Sequence, residues 1–327
     1  MRWVAAGGIN IAAMRNLPTG LCLMAGVLSV TACRTSVTPA RADVWPSPTA
    51  AESATPSTTK APQDPEPAPV AASTSPTSNS IVPLPSVLDF TGGAGFGLAV
   101  GIGVEYEGAY DGADEYEFAV EPAGAVHWRR GDSLLFWEGI EAGWRFLATE
   151  RTLLQLSARY EGGREASDSD DGRLAGLRDQ DSHIVGSVEV RQGLDAEWRN
   201  WIGGKALVGE SDFGVLGIVA AGHRFGSAVD GTGSELFGYA SFGDSAFLDK
   251  DFGITADEAL SSGLRQTQLS GGFRAVGLTF VHRRTLWHRL HLIAQANVEF
   301  YGDEVRQSPI ARDDFEAEAS VALVWIF

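Results

Sequence analysis

The sequence predicts an all-β chain that closes into a transmembrane antiparallel β-barrel of the outer-membrane type, with about 12 strands and about ten as the alternative count. Three observations predict it. From residue 95 onward, bulky apolar residues alternate with small or polar ones, the period of a strand and not of a helix. The alternating segments reach a length suited to a tilted strand crossing a bilayer, about 9–11 residues, beyond the usual globular strand of about 5–6. The chain ends on Phe327 with apolar residues at every second position before it, and it begins with an export leader.

The leader comes first. Arg2 or Arg15 supplies the positive charge of a secretory signal, and Leu21–Val30 is its apolar run, too short to be a membrane helix. Met14 is a second candidate start. Val30-Thr31-Ala32-Cys33 resembles a bacterial lipobox, which makes Cys33 the lipidation site and gives a lipoprotein-type signal over 1–32. An ordinary signal cleaved after Ala42 is the competing reading. Cys22 would leave with the signal, so the mature chain holds one cysteine and no internal disulfide. Arg34 follows Cys33 instead of Asp, which leaves the outer membrane of a Gram-negative bacterium open as the destination. Residues 33–85 are rich in Pro, Ser, Thr and Ala and cannot bury enough apolar surface to offset ordering, so they read as a disordered tether.

The body, 86–327, holds the charge. Residues 1–90 carry five basic and five acidic residues, whereas 91–327 carry 20 and 37 and so contribute the entire net charge of −17. Twelve of the 14 prolines lie before residue 91. An acidic body excludes a nucleic-acid binder, which needs a basic stripe. A mean hydropathy of −0.03 with 44% hydrophobic residues is too apolar for a disordered chain as a whole.

Strand segments fall at 95–106, 115–128, 133–148, 151–161, 182–192, 197–208, 213–225, 234–243, 269–283, 287–301 and 314–327. In the first, Phe96, Leu98, Val100, Ile102, Val104 and Tyr106 share one face and Gly95, Gly97, Ala99, Gly101, Gly103 and Glu105 the other. In the last, Phe315, Ala317, Ala319, Val321, Leu323, Trp325 and Phe327 oppose Glu316, Glu318 and Ser320. Val321, Leu323, Trp325 and Phe327 form the signal read by the outer-membrane assembly machinery. Eleven segments is an odd number, and both ends of such a barrel face the periplasm. A hairpin near Glu138-Gly139 splits 133–148 and restores parity; a strand within 81–90 is the other remedy. Tyr106, Tyr116, Trp128, Tyr160, Trp198, Trp201, Trp287, Phe300, Tyr301 and Trp325 lie near segment ends, as an interfacial girdle requires.

The face opposite the apolar one predicts the lumen. It carries Glu105, Glu117, Glu121, Glu161, Glu189, Glu299, Glu316 and Glu318 with Arg159, Arg191 and Lys205. These groups either line a weakly cation-preferring pore or fill a narrow barrel as an ion-pair network. Gly93-Ala94-Gly95-Phe96-Gly97 lacks the spacing and the helix of a nucleotide loop. His282, His288 and His291 read as part of a basic turn with Arg283, Arg284 and Arg289, because strand spacing sets rings three apart on opposite faces. A lipase-like Ser–His pair would have to come from Ser157 and His183, which nothing singles out. Asp111, Asp114, Asp168, Asp170 and Asp171 read as solvated loop acids, with divalent cations bridging lipopolysaccharide as the sharper alternative. No catalytic residue, cofactor or metal site is expected.

The body resembles the MipA/OmpV family of outer-membrane proteins. Val104-Glu105-Tyr106-Glu107-Gly108 followed by Asp114-Glu115-Tyr116 is similar to that family's first strand and loop. Gly143–Leu147, Phe252–Ala256 with Ser262-Gly263-Leu264, Ala275–Leu278, and Gly302-Asp303 before Ser308-Pro309-Ile310 follow in matching order. The lipobox and tether depart from the family pattern, as does Ala311 where valine is usual. The resemblance implies a non-enzymatic barrel, a scaffold joining a murein hydrolase to a peptidoglycan synthase; members have also been treated as porins or adhesins. Its expected partners are outer-membrane lipid and lipopolysaccharide, the assembly machinery and periplasmic murein-processing enzymes.

Overall fold

In a computed structural model, residues 95–169, 171–210, 213–226 and 232–327 are described. The signal 1–32, Cys33, the tether 33–85 and the alternative strand within 81–90 lie outside the described residues.

Alternation of side-chain size decides which way each strand faces. In β1 (Gly95–Gly108), Phe96, Val100, Ile102 and Val104 point outward and exposed, while Gly97 and Ala99 are buried on the inner face. The chain continues as β2 (Tyr116–Arg130), β3 (Ser133–Glu138), β4 (Glu141–Thr149), β5 (Thr152–Glu161), β6 (His183–Gly193), β7 (Asn200–Val208), β8 (Val215–Phe225), β9 (Gly233–Gly243), β10 (Gly272–Trp287), β11 (Leu290–Tyr301) and β12 (Phe315–Ile326). Each strand pairs antiparallel with its sequence neighbours, and β1 pairs with β12, with Val104 opposite Val321, so the sheet is a closed barrel of twelve strands. Closure leaves no unpaired edge for lipid to meet. No helix among the described residues is long and apolar enough to cross a membrane.

The hairpin near Glu138-Gly139 exists and settles the count at twelve instead of ten. Gly139 takes a φ of 55° in the two-residue turn between β3 and β4, and Gly131 takes 58° in the turn between β2 and β3. Both are conformations that favour glycine and fit the twist of a tight hairpin. β3 is only six residues long, which is why its period was fused with that of β4.

The start of β1 and the end of β12 lie at the end of the barrel that carries the β2–β3, β4–β5 and β10–β11 turns, and the longer loops lie at the other end beside the tight β3–β4 turn. The loop between β9 and β10 carries α1 (Ser245–Phe252) and α2 (Ala256–Ser262); the loop before β12 carries α3 (Asp303–Arg306). Asp244 caps α1 by accepting from the Phe247 N–H at 2.8 Å. Thr255 and Glu258 form a reciprocal capping box on α2, which ends at Gly263 with φ 74°. Phe247, Leu248 and Phe252 of α1 are fully buried against Leu207, Leu216, Phe237 and Leu269, so α1 plugs the barrel mouth.

Two aromatic residues depart from the expected girdle. Trp201 is buried on the inner face, where its indole N–H donates to Glu235 at 2.7 Å. Tyr301 is likewise buried, its hydroxyl donating to Glu316. Each has inner-face parity in its strand; nearness to a strand end outweighed parity in the sequence reading, and parity is what the pleat obeys.

Candidate functional site

The inner face divides into three sectors. The wall from β6 to β10 is filled by a single apolar cluster, including Trp201, Leu216, Phe237 and Tyr239, against which α1 and Phe213 pack. The wall from β3 to β7 carries a polar network. Arg159 pairs with Glu161 at 2.9 Å, Arg191 with Glu189, and Lys205 lies 3.9 Å from Glu141. Glu141 also accepts from Gln155 at 3.1 Å and from Ser157, and Arg145 donates to Gln155 at 2.8 Å. Arg145, Arg159, Glu161, Glu189, Arg191 and Lys205 are buried, so each carries a desolvation cost that only a partner offsets. His127 and Glu138, 2.7 Å apart, extend the network to β2.

The third sector runs over β11, β12, β1 and β2. Where β12, β1 and β2 meet, its inner side chains include the small Gly101, Gly103, Ala119, Ala123 and Ala322 beside Glu105, Glu121, Glu316 and Glu318. Glu105, Glu121 and Glu318 are half-buried, and one carboxylate oxygen of Glu121 is buried with no hydrogen-bond partner. Glu117 has inner parity but is exposed near the loop end. Glu299 receives Arg274 and, at 2.9 Å, the Tyr239 hydroxyl; Glu318 faces the Asn297 amide at 3.5 Å. On the outer face of β12, Val321, Leu323 and Trp325 are exposed, and Phe327 follows them.

Four loops interlock above this lumen. Tyr110 and Ala113 from the first loop, Leu174 and Leu177 from the β5–β6 loop, Ile254 and Ile310 form a second apolar cluster. Arg173 donates to the Pro309 carbonyl from Nε at 3.0 Å, Arg265 to the Gln307 carbonyl at 2.7 Å, and the Ser308 hydroxyl to the Phe252 carbonyl at 2.6 Å. The loop acids take part in this lid. Asp111 pairs with Arg274 at 3.2 Å and Asp114 with Arg312 at 3.2 Å; Asp168 accepts from the Glu165 N–H and Asp171 from the Ser169 hydroxyl and the Arg173 N–H. Asp170 lies outside the described residues. Among the described residues, no three His, Cys, Asp or Glu converge as metal ligands would.

Burial and neighbouring charges set the ionisation of the lid. Burial pushes the Tyr110 hydroxyl up to about 12, with Asp171 and Asp114 adding to it. Burial also raises Asp111 above the ordinary carboxyl range, against the pull of Arg274. Lys250 is pulled down by burial, but Asp251, Asp111 and Glu161 outweigh this and hold it above its usual value. Glu258 is pushed up by burial and held low overall by hydrogen bonds from the Thr255 hydroxyl and N–H.

Sequence reasoning missed several charged residues inside. Arg145, Glu141 and Glu235 follow the strand period and were legible from it. Arg274 was not, because the register shifts between Phe273 and Ala275 and breaks parity there. Lys250 and Asp251 sit on a helix inside a loop, where no period of two exists. The structure does not bring Ser157 and His183 together. Ser157 bonds Ser187 at 2.6 Å, while His183 lies opposite Glu161, four positions further along β5. His282 bonds Ser234 at 2.9 Å and His291 faces Thr285 at 3.2 Å, so the two rings serve different partners.

The family model described as MltA-interacting protein MipA matches residues 100–327. No curated protein matches the chain. Among solved structures, the chain is similar to the Pseudomonas putida toluene transporter TodX at 8% identity, covering 71% of this chain and 88% of that one, with a TM-score of 0.35. An outer membrane channel from Pseudomonas putida F1 is similar at 10% identity over 72% and 96% of the two chains, with a TM-score of 0.36. Pseudomonas aeruginosa OprD is similar at 7% identity over 71% and 95%, with a TM-score of 0.28. Superpositions this loose carry nothing about function.

Proposed function

The chain belongs to the MltA-interacting protein MipA family, and on that premise we propose that it is a non-enzymatic outer-membrane scaffold tied to murein-processing enzymes on its periplasmic side. In this reading the apolar outer face meets outer-membrane lipid and lipopolysaccharide, and the terminal apolar series ending at Phe327 engages the assembly machinery. Cys33 supplies a lipid anchor and residues 33–85 a tether toward the cell wall. One observation carries the scaffold over the channel. α1 and the interlocked loops fill the mouth, and the inner wall from β3 to β7 spends its charges on one another. A conduit needs inner charges free to meet a passing solute.

The purified full-length protein in a planar bilayer is expected to show no steady conductance. A pull-down with the periplasmic face exposed is expected to recover a murein hydrolase. Discrete open channels together with no murein enzyme recovered would overturn the proposal. That outcome would favour a small-solute channel with an acidic lumen, a reading supported by the half-buried Glu105, Glu121 and Glu318 along the small-residue wall. Acyl labelling is expected to vanish in Cys33→Ala; unchanged labelling would remove the anchor from the reading.

A further inference from the structure

The end of the barrel that carries the β2–β3 and β10–β11 turns is not uniform in charge. Over five neighbouring strands of the ring, β10, β11, β12, β1 and β2, it carries Arg129, Arg130, Arg283, Arg284 and Arg289 against one described acid, Asp132. On the opposite arc the β4–β5 and β6–β7 turns carry Glu150, Asp195 and Glu197 against Arg151 and Arg199. A basic arc in a chain of net charge −17 is not what its overall composition would place there. Strand parity aims part of it sideways. Arg130 follows Trp128 on the outer face of β2, and Arg284 follows Phe280 and His282 on the outer face of β10; both are exposed, as is Arg289 in the β10–β11 turn. None of these three makes an ion pair among the described residues. Arg129 and Arg283 have inner parity and are half-buried. Phe96, Trp128, Trp287, Trp325 and Phe327 are exposed along the same arc. The Ile326 N–H donates to the Arg289 carbonyl and the Phe327 N–H to the Leu98 carbonyl, each at 2.9 Å, so the β10–β11 turn, the end of β12 and β1 form one continuous rim.

We propose that this arc binds the headgroups of anionic phospholipids in the leaflet at the turn end of the barrel. Exposed aromatic rings settle at headgroup depth, which brings the neighbouring guanidinium groups level with the lipid phosphates. A guanidinium presents a planar fork of donors that matches two phosphate oxygens at once. A zwitterionic lipid offers the same phosphate beside its own cation, so the preference is for a headgroup of net negative charge. Lipid fits the arc better than an acidic protein surface does. A protein docking on the end of the barrel would meet groups aimed along the axis, whereas Arg130 and Arg284 leave the outer wall beside apolar side chains. The proposal rests on the barrel standing in a membrane and is independent of the scaffold reading and of any murein enzyme.

Electron spin resonance of trace spin-labelled phosphatidylglycerol or phosphatidylcholine, in phosphatidylcholine vesicles holding the full-length protein, tests this through the motionally restricted fraction of each label. Phosphatidylglycerol is expected to be favoured about fivefold at low salt, the scale of one basic residue meeting one anionic headgroup. The preference is expected to collapse near about 1 M salt, where the screening length is roughly 3 Å. Arg130→Gln, Arg284→Gln and Arg289→Gln combined are expected to abolish it, and Arg151→Gln with Arg199→Gln on the opposite arc to leave it unchanged. Heat-dependent electrophoretic mobility confirms that each variant is folded. No preference in the wild type, an undiminished preference in the triple variant, or an equal loss in the opposite-arc pair would each overturn the proposal. A wild type without lipid preference whose capture of a murein hydrolase fails in the triple variant would also overturn it, and would assign the arc to a protein partner.

Discussion

The two sides of this barrel's interior are built on different principles. From β6 to β10 an aromatic and aliphatic cluster packs inside the barrel beside a few paired charges, and α1 inserts Phe247, Leu248 and Phe252 into it as a globular core would be filled. Where β12, β1 and β2 meet, the inner face is mostly glycine, alanine and glutamate, with the small cluster of Ala99, Ala125 and Val324, and β11 beside it adds Gln295, Asn297 and Glu299. Apolar packing holds the first side, where each buried group gains from contact. Backbone pairing and a few polar contacts hold the second, which leaves it half-solvated.

The largest expected break is on the packed side. Phe247→Ala removes a ring with no exposed surface from the α1 plug and is expected to cost about 3–5 kcal/mol. Urea unfolding of the liposome-inserted protein, followed by tryptophan fluorescence, reads this as a lower midpoint. A loss under 1 kcal/mol would mean that α1 is not a structural plug. On the small-residue side the sensitive point is the closing seam. A Cβ at Gly101 would overlap the Leu323 carbonyl and approach Val324 Cα, both backbone atoms with little room to move. Gly101→Ala is therefore expected to cost about 1–3 kcal/mol. Outward-facing Gly186 and Gly217 have only ordinary contacts at 3.7 and 3.8 Å, so alanine there is expected to be near neutral in the same assay.

The contrast also marks how far the sequence was legible. The period of two located all twelve strands, with β3 and β4 as one segment, because a lipid-facing exterior forces apolar residues onto every second position. It likewise put Glu189, Arg191, Lys205 and Glu316 on the inner face. It did not say that Glu189 and Arg191 pair along one strand, since partners depend on side-chain reach and not on spacing. The lid was illegible for a different reason. Its loops are polar and aperiodic, and their joins, such as Arg173 to Pro309 or Ser308 to Phe252, link positions far apart in the chain. Of the charges beneath the lid, the period supplied Glu161 and Glu316 but neither Lys250 nor Arg164.

A smaller break tests the lid itself. Arg173→Gln removes a cation that holds the Pro309 carbonyl from two nitrogens, and is expected to cost about 1.5 kcal/mol. Hydrogen exchange is expected to rise in both the β5–β6 loop and the loop before β12. A rise in only one of them would mean that the two loops are not coupled.

The smallest effect comes from two lid acids that answer pH in opposite directions. Glu258 has its folded-state pKa lowered by the Thr255 hydrogen bonds. Its contribution is therefore complete above the unfolded value of about 4.3 and is lost as pH falls through the folded value. Asp111 has its folded-state pKa raised by burial, so the cost of ionising it is absent below about 3.9 and grows as pH rises through the folded value. Acidification should consequently loosen α2 while relieving the first loop. Hydrogen exchange of the Ala259 and Gly263 amides, which close α2 onto Thr255 and Ala259, is expected to quicken between about pH 5 and 3, after correction for intrinsic rates. Glu258→Gln keeps a side chain of the same size and removes the charge, so the same amides should exchange faster at neutral pH, by about 1 kcal/mol of protection, and lose the acid step. If the acid step persists in Glu258→Gln, another group governs α2, and the polar side of the lid does not owe its pH response to this capping box.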